Sequence, residues 1–255
     1  MITIKSKAEI DIMRKAGEIV ALAHEKIREA IVPGVTTGDL DKIADEVIKK
    51  HGAIPSFRGV QGPLDAPPYP AAICASVNDE VVHGIPGLRV LNDGDIISID
   101  IGAFYGGFHA DAARTHPVGT INEKSYCLIK VTMESFFEGM KQAVNGKRIV
   151  DISTAIQDYV EKHGFSVVRD YVGHGIGRDM WESPQIPNYR TRERGPRMQP
   201  GMTIAIEPMI NAGKYSVTVA ANRWTVKTSD GSLSAHYENT IAITDKDPVI
   251  LTKLD

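Results

Sequence analysis

Two acidic residues of this 255-residue chain stand where an exposed carboxylate is hard to place. Asp100 closes the apolar run Ile96-Ile97-Ser98-Ile99, and Asp111 follows beyond the stretch Phe104-Tyr105-Gly106-Gly107-Phe108. A charged side chain seldom sits in a run of isoleucines without a partner. Residues 99–111 read as a β-hairpin with its turn centred on Tyr105-Gly106. In that register Asp100 faces Asp111, with Cβ atoms about 4.5–5.5 Å apart. Two like charges so placed require a shared proton or a cation. A register slipped by one residue, or two solvated side chains, would relieve them instead.

The second half of the chain echoes the first. Gly34, Asp39-Leu40 and Lys50-His51-Gly52 recur as Gly146, Asp151-Ile152 and Lys162-His163-Gly164 at a constant offset of 112. Val82-His83-Gly84-Ile85 resembles Gly173-His174-Gly175-Ile176, and Gly94-x5-Asp100 resembles Gly201-x5-Glu207. Three matches in one order suggest duplication into two similar halves facing each other; a solenoid would need shorter periods and more copies. Glu207 then stands where Asp100 stands. Glu238 is expected on the last long strand pair, after the Asp230-Gly231 turn, as Asp111 is on the return of its hairpin. Four buried carboxylates need about four positive charges. Two divalent cations supply them, and no nearby run of Lys or Arg does. His174, between glycines that permit close approach, is the obvious nitrogen donor. An oxygen-rich set with one imidazole suits Mn, Fe or Co better than a structural zinc site.

The elements that must position these groups follow from pattern. Ser6 and Glu9 have the capping-box spacing, and a helical stripe runs from Ile10 to Ile31 before Pro33-Gly34. A second helix starts near Thr37 and ends at Gly52, and further helices are expected over 123–145 and 151–163. Five prolines between 55 and 70 mark a loop, and residues 72–101 read as strands. Strands and loops fill the remainder.

Composition sets the frame. The formal net charge is -3, hydrophobic residues make up 42%, and basic residues are dispersed, which argues against a nucleic-acid or membrane-surface role. No apolar run approaches the roughly 20 residues that span a bilayer. No secretory segment opens the chain, and Cys74 and Cys127 form no CxxC, so a cytoplasmic location with reduced thiols is expected. G-x-G-x-x-G, Walker A, G-x-S-x-G and H-E-x-x-H are all absent.

Taken together, VNDEVVHGIPG (77–87), GDIISIDIGAFYGGFHADAART (94–115), VGHGIGRDM (172–180), IAIEPM (204–209) and WTVKTSDGSLSAHYENT (224–240) resemble the type I bacterial methionine aminopeptidases over nearly the whole chain. The resemblance implies an α+β, pseudo-twofold pita-bread fold. Its antiparallel sheet would be covered by two pairs of helices, in a single catalytic domain of halves about 1–120 and 121–255. It implies two divalent ions (Co, Mn or Fe) on Asp100, Asp111, His174, Glu207 and Glu238, the same five residues. It implies Glu207 as general base and His83 as a substrate-contacting histidine that helps the leaving nitrogen. Trp224 would stand at the rim of the methionine pocket, with Tyr69 and Cys74 on its wall.

The activity so implied is removal of an N-terminal methionine before a small second residue, from peptides and nascent chains. Transient ribosome contact, a monomer, no nucleic-acid specificity and no membrane partner are also expected. The family has His where this chain has Trp181 and Asn239, and a different stretch where this chain has residues 62–70. Trp181 is expected to hold substrate by packing and one N–H hydrogen bond. Two other readings remain open: an aminopeptidase or X-Pro peptidase of altered N-terminal preference, and a non-catalytic binding protein on the same scaffold.

Overall fold

The hairpin that carries Asp100 and Asp111 is the spine of the first half. In the computed structural model, which describes residues 2–62 and 66–254, strands Ile96–Tyr105 and Phe108–Pro117 pair antiparallel along their whole length. Ile73–Val77 pairs along one edge of the 96–105 strand, and Ile54–Pro55 pairs near its end. Two helices cover this sheet. α1 (Lys7–Ala30) begins at the Ser6 capping box, whose hydroxyl accepts from the Glu9 amide while Glu9 accepts from the Ser6 amide. α2 (Thr37–Lys50) is capped by Thr36 and ends before Gly52, which sits at φ +73. Their apolar stripes meet Ile97, Ile99 and Ile101 in one core.

In the second half, α3 (Glu123–Met140) and α4 (Ile149–Lys162) pack together over a separate core containing Ile204, Ile206 and Ile241. Here the main sheet runs Val249–Ile250, Asn239–Ala242, Thr203–Ile206, Gly173–Gly175, Glu182–Ile186, all antiparallel. α3 stops at Met140 rather than 145. Bonds from the amides of Gln142 and Ala143 to carbonyls three residues back tighten the chain into a turn there. α4 starts two residues before the expected 151, where Asp151 accepts from the Arg148 amide. None of the four helices is long and apolar enough to cross a membrane, among the described residues.

Two details differ from the sequence expectation. The hairpin turn is Gly106-Gly107, not Tyr105-Gly106, and Tyr105 pairs with Phe108. A two-residue turn of this hand needs positive φ at both central positions, and the two glycines adopt +59° and +89°. Asp111 therefore lies opposite Gly102, and Asp100 opposite Ala113. The slip is two residues, so both aspartates keep the same face and become diagonal neighbours. Glu238, in turn, is not on a hairpin. It lies in the step between Ser234–His236 and Asn239–Ala242, which belong to different sheets.

A seam joins the halves. Ala113 and Glu238 exchange backbone hydrogen bonds of 3.3 and 2.9 Å, and the Thr240 hydroxyl bonds to both the amide and the carbonyl of Asp111. Ile176, Phe108, Tyr69 and Trp224 belong to a third, smaller core.

Candidate metal centre

Every acid expected at the centre comes from a strand or strand end on the seam. Asp100 is on the 96–105 strand and Cys74 is its cross-strand partner, so thiol and carboxylate share a face. Glu207 directly follows the 203–206 strand. Glu238 is fixed by its backbone exchange with Ala113, and by Arg114, which donates to the Glu238 carbonyl and the Asn239 side chain. His174 is flanked by Gly173 and Gly175. A Cβ on either would stand 2.4 and 2.3 Å from the carbonyl oxygens of Ala205 and Ser183, so only glycine permits this packing. The His174 Nδ1–H donates to its neighbour's carbonyl at 2.9 Å, which leaves the Nε2 lone pair free, 3.6 Å from Glu207 Oε1.

The geometry is that of a cation site. Donor atoms of Asp111, His174 and Glu238 lie within 4.8 Å of one another, as do those of Glu207, His236 and Glu238. Asp100 Oδ1, Asp111 Oδ1 and Glu238 Oε1 are buried without a hydrogen-bond partner. Burial pushes the Asp100 carboxyl up to about 7. Burial, then repulsion from neighbouring acids, holds Asp111, Glu207 and Glu238 well above the usual carboxylate range. Burial brings His174 down to about 4, so its imidazole is neutral and able to ligate. Orphaned acceptors, crowded acids and a neutral imidazole together fit divalent cations.

All ten residues singled out from the sequence line one cavity of about 90 Å³. Its apolar end is formed by Phe57, Tyr69, Cys74 and Trp224. The Tyr69 and Trp224 rings stack edge-on at 5.0 Å, and Tyr69 and Phe57 at 6.5 Å. Tyr69 spends its hydroxyl on the carbonyls of Gly84 and Ile73, and Trp224 its N–H on Pro67, so both present apolar faces. Cys74 is buried and its thiol is pushed up by that burial, which makes it an inert wall. His83 stands at the mouth with φ +59, an uncommon conformation for a side-chain-bearing residue, and burial lowers it to about 4. Trp181 is 54% exposed at the same mouth, its ring 6.4 Å from that of His174.

Asn239 does not face the centre. Its carbonyl accepts from Arg114 at 2.6 Å and from Thr252 at 2.9 Å, so it locks the strand that follows Glu238. Within 62–70, Pro63, Leu64 and Asp65 lie outside the described residues, while Tyr69 and Pro67 take the places above. Three residues escaped the sequence reading. Phe57 sits in a proline-rich loop with no pattern to flag it. Arg114 follows Asp111 by three positions. His236 precedes Glu238 by two, a spacing that puts both on one side of an extended chain and could have been noticed.

Comparison with known proteins agrees with this geometry. The sequence model of metallopeptidase family M24 matches residues 11–245. The methionine aminopeptidase of Clostridium acetobutylicum is 55% identical over 253 residues, covering 99% of each chain. Methionine aminopeptidase 1 of Bacillus subtilis is 54% identical, covering 100% of each. The crystal structure of methionine aminopeptidase from Thermotoga maritima superposes with a TM-score of 0.95 at 46% identity, covering 100% of each chain. The chain belongs to metallopeptidase family M24, a family that works with divalent metal, and within it to the type I bacterial methionine aminopeptidases with their pita-bread fold.

Proposed function

We propose that this chain removes N-terminal methionine from peptides and nascent proteins with a small second residue. It would act in the cytoplasm, with two divalent ions drawn from Co, Mn and Fe. We read it as one catalytic unit, with Asp100 and Asp111 supplied by residues 1–120 and His174, Glu207 and Glu238 by residues 121–255. The observation that carries the reading is the joining of two environments in one cavity. Crowded acids with an imidazole stand at one end, and an aromatic pocket closes the other.

Asp100, Asp111, His174, Glu207 and Glu238 would hold the cations, whose Lewis acidity makes water a nucleophile near neutral pH and offsets oxyanion charge. Glu207 reaches the centre from the strand end and takes the proton of the attacking water. His83, kept neutral by burial, hydrogen-bonds the scissile amide and assists departure of its nitrogen. Phe57, Tyr69 and Trp224 exclude water around the first side chain. Trp181 packs against the substrate beyond the cut. The test is hydrolysis of Met-Ala-Ser with Mn, Fe or Co, beside Leu-Ala-Ser and proline-containing peptides. Release of methionine from the first peptide alone is expected. Equal release of leucine would contradict the pocket assignment, and binding of metal without any turnover would favour a binding protein.

A further inference from the structure

The centre contains a second imidazole that the resemblance does not assign. His236 is 2% exposed, and its Nε2 is buried without a hydrogen-bond partner. That nitrogen lies 3.7 Å from Glu207 Oε2 and 3.9 Å from Glu238 Oε2. Glu207 is thus flanked on both oxygens, by His174 at 3.6 Å and by His236. The position of His236 is not incidental. Its amide donates to the Thr115 hydroxyl, and that hydroxyl donates to its carbonyl, so the return strand of the first hairpin grips it. Its strand also pairs with Met209–Asn211, two residues beyond Glu207.

The two histidines face the acids in opposite senses. His174 commits its Nδ1–H to a carbonyl and turns a lone pair inward. In a neutral imidazole one nitrogen donates and the other accepts. A lone pair on His236 Nε2 would oppose two carboxylates, whereas a proton there attracts both. With no cation between that nitrogen and the acids, Nε2–H is the form they favour, and in that form the nitrogen has no lone pair for a metal. Carboxylates that ligate a metal are themselves held by hydrogen bonds from surrounding groups.

We infer that His236 is a positioning residue of the metal centre: in the metal-loaded protein the 3.7 Å gap closes and its Nε2–H donates to Glu207, with Glu238 at 3.9 Å as the alternative acceptor. This orients the carboxylate that both ligates and acts as base. The inference rests on the reading of Glu207 as a ligand.

The test is manganese binding to the full-length protein, followed by calorimetry. His236→Leu removes the donor at similar volume, and about a 10- to 100-fold loss of manganese affinity is expected. His236→Gln keeps an N–H and should recover most of that loss. Should the Leu variant not fold, His236→Asn, whose shorter amide falls short of the acids, takes its place. In the Co(II)-loaded wild type, proton NMR should show one exchangeable, strongly shifted imidazole resonance, from His174. Two such resonances, one of them lost in His236→Gln, would make His236 a direct ligand and overturn the inference. Unchanged affinity in the donorless variant would also overturn it while leaving the metal centre intact. Failure of the wild type to bind manganese would bring down both.

Discussion

Asp100 and Asp111 ride on one hairpin, 11 positions apart, whereas Glu207 and Glu238 lie 31 positions apart and flank two strands that pair with each other across a long loop. The first pair sits diagonally within a ladder. The second sits just past the end of one, beyond the pair Ile206 and Asn239. Local turn chemistry therefore fixes the aspartates, and long-range contacts (Ala113 with Glu238, Arg114 with the 238–239 backbone and side chain) fix the glutamates. The pair built by remote contacts is also the pair flanked by imidazoles. On the proposed reading, the hairpin would supply a rigid half of the site and the second half its general base.

Exchanging one acid from each pair should break this symmetry most visibly. Glu207→Gln removes the proposed ligand and base, and a fall in kcat of about 10³ is expected. Asp100→Asn should act mainly through metal affinity, so excess manganese should restore much of its rate and little of the Glu207 variant's. Equal rescue of both would contradict the division of labour.

Metal removal should come next in size. All four acids are pushed up by burial, Asp100 to about 7, while carboxyls in the unfolded chain titrate near 4. The metal-free folded chain thus holds protons that the unfolded chain has released. That contribution to stability is full below about pH 4 and is lost as pH rises towards and through the folded values. Buried His24 and His116, both held low chiefly by burial, act in the opposite sense in metal-free and loaded protein alike. The difference in melting temperature between manganese-loaded and chelated protein should therefore widen from pH 5.5 to pH 8. A difference that narrows would mean the acids are not crowded as described.

Trp181→His, at the exposed mouth, should raise turnover of Met-Ala peptides modestly, since a histidine can exchange a proton and an indole only donates. A fall would contradict the reading of Trp181 as a weaker substitute for a histidine at this position. The smallest effect compares the two scaffolds. Gly52 and Gly164 follow α2 and α4 at φ +73 and +79, each with open space around the missing Cβ. Gly52→Ala and Gly164→Ala should each cost about 1–2 kcal/mol in urea unfolding, by left-handed strain alone. Clearly unequal costs would show that the halves do not share this helix ending.

What could be read in the sequence follows the same contrast. The helix caps, the glycine stops and the common face of Asp100 and Asp111 rest on interactions within a few residues, and the chain displays them. The hairpin register slipped by two because Gly106-Gly107 competes with Tyr105-Gly106, and only backbone dihedrals separate them. Glu207 was legible through the echo of Gly94-x5-Asp100. The surroundings of Glu238 were not, because Asp230-Gly231 looks like a hairpin turn although the strands flanking it pair elsewhere. Arg114 gains meaning only once the seam brings the two halves together, whereas the two-residue spacing of His236 and Glu238 was there to be read.

The most direct measurement is anomalous diffraction from crystals grown with manganese. Two manganese peaks are expected, between the hairpin aspartates and the two glutamates, with carboxylate oxygens about 2.0–2.2 Å away. Aspartates turned away from Glu207 and Glu238, with no ion between them, would contradict the account.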